Sequence, residues 1–351
     1  MYGSPLFKKP KSKIRIEEVR DIQDQLLREG IYSKVEEGTR NYYLKVVRGP
    51  NPDATIRYST HIILFLLTML TTTITGAMLK GNNPFASVEQ LATGIHYSIA
   101  LLLILLFHEM GHYLAARYYK IEATLPYFIP FFFPAFHPGT LGAFIKMKSS
   151  IPNRRALFDV GAAGPITGFI VAMAVLSWGF YNLPAKPGVI EYITNIHPLD
   201  DAHGINLTLG DSILFTLMKK AFAIEFLPMN EMYHFPYLFA GWFGLLVTAI
   251  NLMPIGQLDG GHITYAMFGD KARLIAIGAF ALLVILNVYL ISSFKSFIWV
   301  LWILLILFYI RFRHPPTMDG SVRLDTKRKI LGVLAYVIFV LSFIPLPVYI
   351  P

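Results

Sequence analysis

The sequence predicts an all-α, polytopic membrane protein of about seven transmembrane helices, with a re-entrant, β-hairpin-like loop after the second helix. Three observations predict it. Of the 351 residues, 54% are hydrophobic and 15% charged. Apolar runs recur at about 20 residues, the length a helix needs to cross a bilayer. The basic residues behind the formal charge of +9 lie in short segments beside those runs, which is how topology signals are distributed. Membrane orientation, rather than a nucleic-acid partner, therefore accounts for the charge. The chain contains no cysteine, so disulfides and thiolate ligands are excluded and any transition-metal site must use imidazole and carboxylate.

Residues 1–57 contain twelve Lys or Arg and eight Asp or Glu. The run IEEVRDIQDQLLREG within them has the pattern of a short amphipathic helix, and no apolar core marks the segment for cleavage. It reads as a cytosolic extension ahead of a membrane domain over 58–351. Spans are expected at about 59–79 and 96–119, the second containing HEMGH, with a polar loop around Asn82, Asn83 and Pro84 between them. Residues 125–150 are apolar but interrupted by Pro126, Pro130, Pro134 and Pro138, which favours a re-entrant hairpin over a helix. Within that segment, GAFIKMK at 142–148 partly alternates in the manner of a strand.

A third span, about 157–181, opens with GAAGPITG, whose small residues permit close helix packing. The stretch 182–234 has three Lys and six acids and suggests an interfacial helix between Leu207 and Leu227. The fourth span, about 236–255, leads into NLMPIGQLDGGH and on to residue 262. Further spans are expected at about 272–292, 296–312 and 330–346. Placing the N-terminus in the cytosol puts Arg117, Lys120, Arg155, Arg273 and Arg323 in inside loops. The C-terminus then lies outside, and HEMGH and LDG meet at the cytosolic side of a cell-membrane protein.

His108 and His112 are four residues apart, so on a helix both imidazoles project from one face and can share a tetrahedral zinc. Glu109 between them can reach a water at the metal, take its proton and return it to a leaving amine. The preceding SIALLLILLF makes this helix apolar all round. Ionisable groups in a span cost about 2.5 to 3.5 kcal/mol on insertion scales, so two imidazoles and a carboxylate together read as a functional site. A catalytic zinc needs a third protein ligand. Asp259 of LDG is the best candidate because it is expected at a similar depth, with His262 as a competitor or a donor behind the ligands. Asn251 lies in the same apolar run, where its amide serves either substrate backbone or a neighbouring helix.

HEMGH at 108–112, GAAGPITG at 161–168 and NLMPIGQLDGGH at 251–262 together resemble the site-2 protease family of intramembrane zinc metalloproteases. Their order and the GTLGAFIKMK stretch look most like the branch that contains the plant chloroplast EGY-type proteases and their bacterial and archaeal relatives. The resemblance implies one zinc held by His108, His112 and Asp259, water activation by Glu109, and binding of substrate main chain by Asn251. It also implies that the substrates are transmembrane helices cut in or near the bilayer, with the hairpin holding the unwound segment as an added strand. No PDZ-type insertion is recognisable in 182–234, and the N-terminal extension lies outside the shared motifs. Two other readings compete: a metal transporter or sensor with the same ligands and no proteolysis, and an inert membrane scaffold. The clustering of ionisable residues at one depth, rather than along several helices, favours the protease.

Overall fold

A computed structural model describes residues 16–28, 33–37, 42–46, 58–133, 137–196 and 207–350. The extension contains the expected amphipathic helix, α1 (Ile16–Arg28). It is followed by a small antiparallel hairpin of β1 (Ser33–Glu37) and β2 (Tyr42–Val46), for which the polar sequence carries little period-2 signal. Next come α2 (Tyr58–Leu79), the short α3 (Val88–Ala92) and α4 (Ile95–Tyr118). Threonines in the apolar α2 satisfy their own hydroxyls: Thr68, Thr72 and Thr75 each donate to the carbonyl four residues back.

The proline-interrupted segment forms an antiparallel hairpin of β3 (Tyr127–Pro130) and β4 (Thr140–Phe144). Its second strand begins two residues before the predicted 142 and ends at 144, and Met147 pairs only as an isolated bridge with Ala123. The hairpin is tied to α2 and α4 by backbone carbonyls that find side-chain donors. Thr71 Oγ1 donates to the Gly139 carbonyl at 2.7 Å and Tyr97 Oη to that of Pro138 at 2.8 Å.

Next come α5 (Arg154–Tyr181), α6 (Lys186–Ile196), the two-residue β5 (Thr208–Leu209) and α7 (Ile213–Ala221). Asn153 caps α5, its side chain accepting from the Ala156 amide at 3.0 Å. The helix predicted between 207 and 227 is the shorter α7. Its Phe215 and Met218 are buried in the main core, so it packs on protein. The remaining elements are α8 (Pro236–Leu252), α9 (Asp259–Phe268), α10 (Ala272–Phe294), α11 (Val300–Leu305) continued by a π-helical stretch over Ile306–Ile310, α12 (Thr326–Ser342) and β6 (Val348–Tyr349).

The fold is mostly helical, with few and short strands. Among the described residues, four helical stretches are long and apolar enough to cross a membrane: 58–79, 88–118, 154–181, and α9 with α10 over 259–294. The stretches 236–252 and 300–310 are apolar but shorter. The central core is built by α4, α5 and α8 around Leu101, Leu176 and Trp242, each at most 1% exposed. Helices α4 and α5 pack closely, a Cβ on Gly111 standing only 2.6 Å from the Ala163 carbonyl oxygen. That packing decides where the conspicuous histidines go.

Candidate metal centre

His108, Glu109 and His112 sit on the face of α4 turned into the bundle and are 4%, 6% and 7% exposed. Asp259 approaches from the other side, as the first residue of α9, after the turn that Pro254 and Gly256 impose beyond α8. The carboxylate Oδ2 of Asp259 lies 3.4 Å from His108 Nε2 and 3.2 Å from His112 Nε2. The two imidazole nitrogens are 3.2 Å apart.

A tetrahedral ion with ligand bonds of about 2.0 to 2.1 Å has ligand atoms about 3.3 Å from one another. The three observed separations match that edge length, so the donor set and its geometry fit a single metal ion. Among the described residues, this is the group of His, Asp or Glu arranged to hold one.

The support behind the ligands is as specific as the ligands. His112 Nδ1 donates to the Val160 carbonyl at 2.7 Å, which leaves its Nε2 lone pair facing Asp259 and His108. The GAAGPITG segment is the surface that receives these rings. A Cβ on Gly164 would lie 2.0 Å from His112 Nε2, one on Gly168 would lie 3.0 Å from His108 Nδ1, and one on Gly161 would lie 2.7 Å from His262 Cβ. Residues 161, 164 and 168 share one helix face, so the close packing expected of this segment accommodates imidazoles.

His262 is not among the three converging ligands. It hydrogen-bonds His314 through Nδ1, and His314 in turn stacks on Tyr265 with ring centroids 4.6 Å apart. Burial, and then the neighbouring His262, push His314 down to about 3, so its ring stays neutral at physiological pH. Asn251, near the end of α8, places its amide nitrogen 3.3 Å from His108 Nε2. It therefore sits at the ligand cluster itself. The Glu109 carboxylate faces the backbone amide of Ile145, one residue past β4, which brings the hairpin to the same site.

One supporting cluster has no counterpart in the sequence reading. Asp159, beside Val160, accepts from Tyr119 Oη at 2.5 Å and from Arg328 Nε and Nη2 at 2.8 and 2.6 Å. This joins the ends of α4, α5 and α12 next to the carbonyl that orients His112. Arg328 also donates to the Asp325 carboxylate, so its guanidinium bridges two carboxylates.

Known proteins share this arrangement of sequence. The chain is 27% identical over 320 residues to the "Probable zinc metalloprotease EGY1, chloroplastic" of Arabidopsis thaliana, covering 86% of this chain and 55% of that protein. It is 29% identical over 267 residues to the EGY2 protein of the same plant, covering 75% and 44%. To the EGY1 protein of Oryza sativa subsp. japonica it is 28% identical over 321 residues, covering 86% and 52%. The chain thus spans about half the length of the curated relatives it matches. The model of peptidase family M50 matches residues 96–289, more than half of the chain and inclusive of His108, Glu109, His112, Asn251 and Asp259. This chain belongs to peptidase family M50.

Proposed function

We propose that the chain is an intramembrane zinc metalloendopeptidase that hydrolyses peptide bonds of transmembrane helices in membrane-protein substrates. The observation that carries this reading is the buried triangle of His108, His112 and Asp259 with a carboxylate, Glu109, next to it in an apolar helix. The names of the matched plant proteins agree with it.

His108, His112 and Asp259 would hold one zinc, which when bound would polarise the scissile carbonyl and lower the pKa of a water to about 7. Glu109 is the general base: it takes the water's proton and passes it to the leaving amine as the bond breaks. Asn251, beside His108, positions the substrate main chain. A helical peptide bond is shielded by its own hydrogen bonds, so the substrate must unwind before attack. The β3–β4 hairpin, re-entering the membrane from the same side as the site, receives the unwound segment along β4 and keeps its backbone groups paired. Exposed Leu141 and Phe144 on that strand supply apolar contact.

In this reading the chain has seven spans, with α8, the 300–310 helix and α12 completing the four longer ones. The N-terminus and active site face the cytosol of a cell membrane, and the C-terminus faces outside. Residues 1–57 form a cytosolic extension and 58–351 the protease domain.

The test is Glu109→Gln in purified protein reconstituted with a helical membrane substrate. Zinc content should stay at one per chain while cleavage falls by about 10² to 10⁴ fold, the range for losing a general base. Cleavage at the wild-type rate would refute the assignment, and metal flux in liposomes that survives the substitution would favour a transporter.

A further inference from the structure

Next to the metal ligands but sharing none of them, a cavity of about 610 Å³ is lined by Gln257, Arg273, Leu307, Arg311, Arg313 and His314. Among the described residues, none of the three arginines forms an ion pair with a carboxylate. The pocket therefore presents three guanidinium groups with no carboxylate ion pair among the described residues. All three arginines are exposed, and three cationic side chains lining one open cavity give a positive surface that attracts an anion.

The position in the fold narrows the anion further. Arg273 is the second residue of α10 and Arg311 directly follows the helix that ends at Ile310, so the two cap the same end of this apolar pair. Beside them, Leu274 and Phe308 are 72% and 70% exposed, giving apolar surface next to the charged pocket. Guanidinium groups at the end of apolar helices are suited to phosphate, whose oxygens accept the paired N–H donors of arginine. Basic pockets between membrane helices at this level take phospholipid headgroups.

The wall of the pocket is firmly built. A Cβ on Gly256 would lie 2.1 Å from the Arg311 carbonyl oxygen, so the backbone carrying Arg311 packs directly on the turn that leads to Asp259. None of the lining residues is one of the three metal ligands.

We propose that Arg273, Arg311 and Arg313 form a binding site for a phosphate-bearing anion, separate from the metal centre. The ligand is either the headgroup of an anionic phospholipid or free phosphate, and the site does not depend on the proposed hydrolytic activity.

The test follows binding by native mass spectrometry of the full chain in detergent. Phosphatidylglycerol and phosphatidylcholine with identical acyl chains are titrated in turn, and inorganic phosphate is used as a competitor. Phosphatidylglycerol should bind at least tenfold more tightly than phosphatidylcholine, and the Arg273→Gln/Arg313→Gln variant should lose that preference. Arg273→Lys/Arg313→Lys, which keeps the charge but not the paired donors, should retain only part of it. Displacement of phosphatidylglycerol by millimolar phosphate would assign the site to free phosphate, whereas resistance would assign it to the lipid. Should the double variant fail to fold, Arg273→Glu at the exposed start of α10 carries the same test. Equal phosphatidylglycerol affinity in wild-type and folded variant protein would overturn the proposal.

Discussion

At the scale of single residues, the metal centre depends on what is missing from α5 as much as on what projects from α4. Gly164 lies in a helix interior, where alanine is ordinarily the better residue by about 1 kcal/mol. Here the added methyl would stand 2.0 Å from His112 Nε2. Gly164→Ala should therefore displace that imidazole and reduce bound zinc at least tenfold, measured by metal analysis of the purified protein. Gly278→Ala provides the contrast, because no atom lies within 4 Å of a Cβ at that position in α10. It should leave zinc content unchanged and raise stability by up to about 1 kcal/mol. If both variants keep full zinc, the cradle has no part in holding His112.

At the scale of elements, the site is held together by contacts at the shared ends of α4, α5 and α12. Asp159 receives a paired donation from Arg328 and a further bond from Tyr119, all partly shielded from solvent. Asp159→Asn keeps the shape but removes the charge that makes these bonds strong. Melting in detergent should show a loss of about 1 to 3 kcal/mol, and an unchanged melting temperature would mean the three helices are held by apolar packing alone. This cluster was not legible in the sequence, because Asp159 and Arg328 are separated by 169 residues and neither lies in a motif. Val160 was equally silent, since it acts through a backbone carbonyl that any residue supplies. In contrast, α4 and its histidine pair were legible from local spacing. The β3–β4 hairpin was legible from its prolines, although its second strand begins two residues earlier than expected, because Gly139, not the alternating lysines, ties it to α2 and Thr140 bonds the Ile129 carbonyl of β3.

For the whole molecule, the proposed topology makes a prediction that composition and chain length alone do not. Seven spans place the two termini on opposite faces, so reporters fused to each end should respond to opposite compartments. Reporters on the same side would require one of the three shorter helices, α8, the 300–310 helix or α12, to lie against the membrane without crossing it. The same long-range folding brings Asp259 of α9 to the histidines of α4, across about 150 residues of chain. The sequence could suggest that meeting only through expected span depth and family resemblance, and it left His262 as a rival. Zinc stoichiometry across wild type, Asp259→Ala and His262→Ala decides which residue completes the metal centre. A centre built from His108, His112 and Asp259 predicts one zinc per wild-type chain, its loss in Asp259→Ala with the helical fold retained, and its retention in His262→Ala. Full zinc in Asp259→Ala together with loss in His262→Ala would contradict it.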